Sequence, residues 1–224
     1  MSDAPSELEI TARTKIRRKP DRGHYDVATI RAILDEAFLC HVAVDLGSGP
    51  VIIPMAFGRV DDDIYLHGAA GNAILRAIAS GNDLCVAVTL TDALVLARSA
   101  FHHSMNYRSV VVFGTGFRVD DVDEKRRAVD AIVDHVVAGR SADARPPTDA
   151  ELRATLVVRI PISEASAKVR SGGPIDDAED LTLPIWGGHI PLRMVADAPI
   201  ADPEVPPGVP TPAYALDYRR VPGA

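Results

Sequence analysis

The strongest evidence on the fold comes from one stretch, Phe101-His-His-Ser-Met-Asn-Tyr-Arg-Ser109, and from the apolar run Val110-Val-Val-Phe113 that follows it. The apolar run indicates a buried β-strand, and the polar residues precede it at the mouth of that strand. A buried donor without a partner costs about 1–3 kcal/mol, so this density of donors predicts a ligand. The guanidinium of Arg108 suits a phosphate, and the hydroxyls of Ser104 and Ser109 suit phosphate or polyol oxygens. The stretch therefore predicts one wall of a site for a phosphorylated cofactor, with a hydrogen-bonded hairpin corner as the alternative.

The rest of the chain predicts short strands joined by tight turns, with three helices. Pro54 interrupts the second predicted strand, which suits a bulge or an edge strand. The spacing of Thr148 and Glu151 is that of a capping box at the start of a short helical turn. Strands are predicted over residues 39–46, 51–60, 64–67, 84–90, 93–97, 107–119 and 155–162, and helices over 27–38, 72–80 and 122–138. This pattern predicts a mainly β protein with helices, built on a six- to seven-stranded antiparallel barrel that is closed or partly closed.

Composition limits both the organisation and the partners of the chain. A chain of 224 residues, 47% of them apolar, is long enough for one sizeable core. The net charge of −7 argues against a nucleic-acid partner. We find no signal peptide and no apolar run long enough to span a membrane, so we expect a cytoplasmic protein. The two cysteines lie in apolar runs, and we expect them to be buried, unreactive thiols. The predicted division is an N-terminal arm (1–22), one domain (23–198) and a proline-rich C-terminal segment (199–224).

Two further clusters carry chemistry. His67-Gly-Ala-Ala-Gly71 stands where a strand passes into a helix, and backbone N–H groups at such a turn attract phosphate; a plain turn is the alternative. Pro184-Ile-Trp-Gly-Gly-His-Ile-Pro191 holds the single tryptophan, Trp186. That residue is predicted either to lie in the core or to cover an aromatic ring system.

In their order and spacing, these clusters resemble the pyridoxamine 5′-phosphate oxidase-like superfamily of FMN-binding split β-barrels. The resemblance is to the branch of flavin-nucleotide-binding proteins related to nitroimidazole reductases, and it covers roughly residues 25–195. The motifs that carry it are Ile53-Pro-Met55, Tyr65-Leu-His-Gly68, Ser104 to Gly114, Ser166-Ala-Lys-Val-Arg170 and Trp186-Gly-Gly-His-Ile-Pro191.

The resemblance implies a homodimer with two FMN sites at the subunit interface. By motif match, the isoalloxazine ring is lined by Ile53, Pro54, Met55, His67 and Gly68. The ribityl chain and phosphate are held along one strand by Ser104, Asn106, Tyr107, Arg108 and Ser109, and the partner subunit supplies Trp186. Many relatives carry a Lys or Arg shortly after the His-Gly pair, where this chain reads Ala69-Ala-Gly-Asn-Ala73. The phosphate is therefore left mainly to Arg108, with Arg76 as a substitute one helical turn later.

The histidines do not predict a chelating metal site. No Cys or His spacing matches a metal finger, and the adjacent His102 and His103 would face opposite sides of a strand. A single axial histidine for haem stays open as an alternative, because some split-barrel relatives bind haem. His67 and His103 are the candidates for proton delivery near a flavin, with a structural role as the alternative.

These observations predict an FMN-dependent oxidoreductase. A reduced nicotinamide would deliver hydride to the flavin, which would pass electrons to a small planar acceptor such as a nitroaromatic or quinone-like compound. Two alternatives remain at this point: a flavin-binding protein that acts in storage or sensing, and a haem-binding protein on the same barrel.

Overall fold

The computed structural model describes residues 6–219 and has two antiparallel β-sheets. The strands, in chain order, are β1 (Gly23–His24), β2 (Leu39–Asp45), β3 (Pro50–Ala56), β4 (Gly58–Val60), β5 (Asp63–Ala69), β6 (Asp83–Leu96), β7 (Ser104–Thr115), β8 (Phe117–Arg118), β9 (Thr155–Pro161), β10 (Glu164–Arg170) and β11 (Gly188–Pro191). The helices are α1 (Val27–Glu36), α2 (Ala73–Ala79), α3 (Val122–Val136), α4 (Arg140–Asp143), α5 (Asp149–Ala154) and α6 (Ala213–Leu216). The predicted class, mainly β with helices on an antiparallel split barrel, is confirmed.

The larger sheet has seven strands, in the order β1-β10-β7-β6-β2-β3, with β11 also paired to β6. The smaller sheet has the order β4-β5-β9-β8. The predicted strand over 51–60 is divided between the two sheets at Phe57, which is fully buried. Pro54 lies in β3, at the edge of the larger sheet, where its missing N–H breaks no inner ladder.

Strand β6 corrects one sequence prediction. The chain was expected to form two strands here, over 84–90 and 93–97, but it forms one strand of 14 residues. The pairing with β7 shifts in register between Thr91 and Ala93, which is a bulge. The intervening residue, Asp92, sends its carboxylate to Arg108. Thr91 and Asp92, predicted to form a turn, therefore form a bulge within one strand and do not end the strand. The bulge directs the Asp92 carboxylate towards Arg108.

The main core lies between the two sheets, closed by α1 and α2. Alternation along β2 places Val42 and Val44 inside, and Val110 and Val112 of β7 lie on the same inner face of the larger sheet. Burying one such aliphatic side chain stabilises the fold by about 1.5–3 kcal/mol. A second, smaller cluster forms where α3 packs on the other face of the smaller sheet, and comprises Tyr65, Val119, Ala128, Ile132 and Val157.

Side-chain caps fix where the helices begin. Asp26 accepts a hydrogen bond from the Thr29 N–H at the start of α1, and Asn72 caps α2 in the same way. The capping box predicted between Thr148 and Glu151 is present at α5. A Cβ on Gly58 would lie 2.7 Å from the Ile132 backbone nitrogen, so glycine at this position lets α3 pack directly on β4.

The segment before β1 crosses the outer face of the larger sheet, which is the face turned away from the core. The guanidinium of Arg13 pairs with Asp83 of β6 and Glu164 of β10, and stacks 5.0 Å over the Phe113 ring. Thr14 is buried beneath this crossing. The ends of the predicted arm (1–5) and of the predicted C-terminal segment (220–224) lie outside the described residues, and the division into arm, domain and segment stays a prediction.

Among residues 6–219, no helix is both long enough and apolar enough to cross a membrane.

Candidate functional site

Arg108, the predicted phosphate ligand, is already paired with two carboxylates. Its side chain points to the inner face of the larger sheet, where Nε and Nη2 donate to Asp92 at 3.0 and 2.7 Å. The same guanidinium donates to both carboxylate oxygens of Glu36, at the end of α1. These hydrogen bonds, first from Glu36 and then from Asp92, raise the pKa of Arg108 further above its ordinary value. One cation and two carboxylates carry a net negative charge, so we do not assign a phosphate to Arg108.

Asn106 is also occupied by protein partners. It is buried, its Oδ1 accepts from Arg170, and its Nδ2 donates to the Gly172 carbonyl at 3.0 Å. Arg170 is buried too, and it donates to the carbonyl of Gly173. This network holds the chain that leaves β10. In the described structure Asn106 therefore anchors a loop, a role that was not predicted from the sequence.

The remaining predicted residues of β3 and β7 divide between the two faces of the larger sheet. Ile53 and Met55 pack against the main core. Pro54, paired with the exposed His41, lies on the outer face. Tyr107 and Ser109 alternate with the buried positions of β7 and therefore also face outward. Pro54, Tyr107 and Ser109 thus remain accessible to a ligand on the outer face, and Ile53 and Met55 support the sheet from inside.

His67 and Gly68 lie at the end of β5 in the smaller sheet. His67 pairs with Val157 and remains open to solvent on one side, while the surrounding protein desolvates the ring and lowers the pKa of His67. A neutral imidazole at this position can donate or accept a proton near pH 7. A Cβ on Gly68 would lie 2.9 Å from Leu75 Cδ1, so glycine here lets α2 pack against the strand.

An exposed apolar row continues the outer face beyond the β6 bulge. Leu94 of β6 stands between Met105 of β7 and Ile190 of β11, and all three side chains are 40–51% exposed. Next to them, the ring of Trp186 lies where a side chain on Gly188 would be, because a Cβ there would approach the ring to 2.7 Å. We call Leu94, Met105, Ile190 and Trp186 the apolar ledge. A row of exposed large apolar groups of this kind suits a flat ring or a second polypeptide.

His103 precedes the apolar ledge in the chain, two residues before Met105. Its Nδ1 lies 3.0 Å from the Ser99 carbonyl oxygen. A carbonyl only accepts, so Nδ1 carries the proton and Nε2 of the neutral ring keeps a free lone pair. The neighbouring His102 differs, since its Nε2 is 3.1 Å from a carboxylate oxygen of Asp177. His103 therefore has the geometry of a histidine available to a metal or a ligand.

The structure brings some of the predicted residues together and separates others. Trp186 lies beside the apolar ledge and His103 precedes it in the chain, whereas Ser104 alternates with Met105 and so faces the opposite side of the larger sheet. His67 and Gly68 belong to the smaller sheet. Leu94 was not among the predicted site residues, and Ile190 appeared only as part of the 186–191 motif, because β11 has only four residues and ends in proline. Within residues 6–219, no group of three or more His, Cys, Asp or Glu side chains is placed to hold a metal ion.

Comparison with known proteins agrees with this architecture. The family model of pyridoxamine 5′-phosphate oxidase matches residues 26–169. The flavocytochrome Anf3 from Azotobacter vinelandii is 37% identical over 93% of this chain and 97% of its own, with a TM-score of 0.88. An FAD- and haem-binding protein from Mycobacterium smegmatis is 37% identical over 86% of this chain and 95% of its own, with a TM-score of 0.82.

A candidate 5-nitroimidazole antibiotic resistance protein from Bacteroides thetaiotaomicron is 27% identical over 66% of this chain and 86% of its own, with a TM-score of 0.56. Comparison with curated proteins gives no match.

Proposed function

Because the chain belongs to the pyridoxamine 5′-phosphate oxidase family of flavin-binding split barrels, we propose that it is a flavin-dependent oxidoreductase. The observation that carries this proposal is the 37% identity, over 93% of the chain, to a flavocytochrome with the same fold. In this proposal a reduced nicotinamide donates electrons and a small organic acceptor takes them. The flavin is FMN by resemblance, or FAD as in the name of the Mycobacterium smegmatis protein.

The flavin is held, in this proposal, by the predicted residues that the structure leaves accessible. A bound flavin supplies the electron chemistry, by accepting a hydride and passing electrons on. Of the predicted residues, Pro54, His67 and Trp186 are exposed. Four others are half-buried and lie outside the main core, Gly68, Ser104, Tyr107 and Ser109. The neutral ring of His67 is suited to exchange a proton with the bound ring system or its acceptor, and His103 is the second candidate for this role.

A homodimer completes the proposed site. Large apolar side chains remain exposed on the outer face and along the segment after β10, among them Ile52 (64%), Trp186 (66%) and Val195 (79%). Exposed apolar surface of this extent is typical of protein interfaces. We expect sedimentation to show a dimer and Ile52→Asp to shift it towards monomer with loss of flavin. A wild-type monomer that binds flavin tightly would contradict this part of the proposal.

The absorption spectrum of the purified protein tests the flavin proposal. We expect flavin bands, either as purified or after incubation with FMN or FAD, and we expect NADH or NADPH to bleach them in the absence of oxygen. Chromatography of the flavin released on denaturation distinguishes FMN from FAD. A protein that takes up neither flavin would contradict the proposal, and bound flavin that no nicotinamide reduces would instead favour storage or sensing.

Haem binding is a second candidate function, and the geometry of His103 favours it. The residues fit the group: Nδ1 is fixed by Ser99, Nε2 has a free lone pair, and the exposed apolar side chain of Met105 follows two residues later in the chain. We expect haem uptake to give a Soret band that His103→Ala abolishes and His102→Ala retains. An unchanged Soret band in His103→Ala would exclude this ligand, and the adjacent His102 variant controls for damage to the loop.

A further inference from the structure

Three arginines converge on a cavity at the end of the smaller sheet, on a chain whose net charge is −7. Arg76 comes from α2, Arg118 from β8 and Arg153 from α5, and they line a cavity of about 300 Å³ together with Ala70, Ser80 and Thr155. Among residues 6–219, none of the residues that line this cavity is acidic. We call Arg76, Arg118 and Arg153 the arginine cleft.

Two of these guanidinium groups have no ion-pair partner in the described part of the chain. Arg118 donates from Nε to Asp120 at 2.6 Å, but neither Arg76 nor Arg153 lies within ion-pair distance of a carboxylate there. The nearby hydroxyls are already used, since Ser80 donates to the Arg76 carbonyl and Thr155 to the Glu151 carbonyl. The donors available to a ligand are therefore the guanidinium groups, which prefer phosphate and carboxylate oxygens.

The end of α2 does not oppose an anion here. The backbone N–H groups of Ser80, Gly81 and Asn82 satisfy the last carbonyls of this helix. Lys125, which lines the adjoining cavity, adds a further cation; burial and then the charge of Arg118 lower the pKa of Lys125, and Asp120 opposes that shift. An anion that enters the arginine cleft relieves this repulsion between cations.

The adjoining cavity has a different character. It measures about 420 Å³ and shares Arg118 and Arg153 with the arginine cleft. Its other lining residues are apolar, Val122 and Leu152, or charged, Asp120, Asp149 and Lys125. An apolar wall and an arginine plane suit a stacked base, and carboxylates suit the hydroxyls of a ribose. The two cavities thus offer, side by side, a place for phosphates and a place for a nucleoside.

We propose that the arginine cleft and the adjoining cavity bind the nucleoside diphosphate part of a dinucleotide. The phosphates lie between Arg76, Arg118 and Arg153, and the nucleoside lies against Val122 and Leu152. Two dinucleotides share this chemistry, FAD and a nicotinamide dinucleotide. The site is separate from Arg108, to which the sequence analysis assigned the phosphate.

Calorimetric titration with ADP, on the protein as purified, tests this proposal. We expect ADP to bind the wild type, adenosine to bind at least about tenfold more weakly, and Arg153→Gln or Arg76→Gln to weaken ADP binding at least about tenfold, as the loss of a charge-assisted contact predicts. Arg17→Gln is the matched control, because Arg17 is exposed and distant in the chain from the arginine cleft. The substitution removes the same charge.

The nucleotide released on denaturation identifies the source. If FAD already fills the site, ADP does not bind the wild type, and the Arg153 variant is purified with FAD depleted while the Arg17 variant retains it. If the site is free, displacement of ADP by NADH or NADPH assigns it to the nicotinamide. Equal ADP affinity in all variants, or no ADP binding together with unchanged nucleotide content, would overturn the proposal. The choice of these two dinucleotides rests on the proposed function, but neither arm requires electron transfer, so a failure of this proposal is distinguishable from a failure of the proposed activity.

Discussion

Arg108 and Arg153 carry the same guanidinium group in opposite surroundings. Arg108 lies on the inner face of the larger sheet, and its donors are taken up by Glu36 and Asp92. Arg153 lies at the end of the smaller sheet, beside Arg76 and without a carboxylate partner in the described structure. Whether an arginine is available to bind a phosphate thus depends on which carboxylates the fold places beside it. Those carboxylates come from distant positions in the chain.

Removing the guanidinium of Arg108 should have the largest effect. Arg108→Leu leaves Glu36 and Asp92 facing each other in a partly buried site, and we expect the free energy of unfolding to fall by about 1–3 kcal/mol. Flavin affinity, measured on the folded variant, should stay within about twofold of wild type. Denaturant unfolding and flavin titration measure the two effects.

Arg76→Gln is the matched variant on the other side of the comparison. Because Arg76 has no ion-pair partner in the described residues, its loss should change the free energy of unfolding by no more than about 0.5 kcal/mol. If Arg108→Leu instead left the free energy of unfolding unchanged and weakened flavin binding tenfold, Arg108 would bind the phosphate, as the sequence predicted.

The salt concentration should produce the next largest difference between Arg108 and the arginine cleft. Between about 0.1 M and about 1 M NaCl the Debye length falls from about 10 Å to about 3 Å, which screens the open arginine cleft far more than the paired Arg108. We expect ADP affinity to fall roughly tenfold over this range, while the stability lost in Arg108→Leu stays nearly constant. ADP binding that is insensitive to salt would show that the arginines do not hold the phosphates.

The smallest predicted effect is the loss of stability at acidic pH that is due to His67. His67 lies three residues before Ala70, which lines the arginine cleft, and desolvation lowers the pKa of His67 in the folded protein. The unfolded chain, with an ordinary histidine pKa of about 6.5, takes up a proton first as the pH falls. Stability contributed by the neutral ring is therefore present above about pH 6.5 and is lost as the pH falls below it.

His67→Gln removes this titration. The difference in unfolding free energy between the variant and the wild type should be constant above neutral pH and should move in favour of the variant between about pH 7 and about pH 5. Urea unfolding at several pH values measures it. The account of His67 fails if acid favours the wild type instead.

Much of the fold follows from local sequence. The alternation of Val42, Val44 and their neighbours, the caps at Asp26 and Asn72 and the capping box at Thr148 all act over a few residues, and the structure contains each of them. The strands that were missed, among them β1, β10 and β11, are short or carry few large apolar residues. Their pairing comes from distant partners, as in the register of Gly23 with Lys168.

The site was harder to predict because its chemistry depends on pairings across the chain. Arg108 is 72 positions from Glu36, and Asn106 is 64 positions from Arg170, so neither pairing has a local signal. The arginine cleft joins residues from α2, β8 and α5, and only Arg76 had been considered from the sequence. His103 and Trp186 were predicted because each lies in a compact polar or glycine-rich motif, and their roles stay predictions.

The decisive measurement for flavin binding is the flavin content of the purified protein after incubation with FMN or FAD and removal of the excess. We expect an equimolar amount of bound flavin, with absorption bands that a reduced nicotinamide bleaches in the absence of oxygen. A folded protein that retains no flavin under these conditions would contradict it.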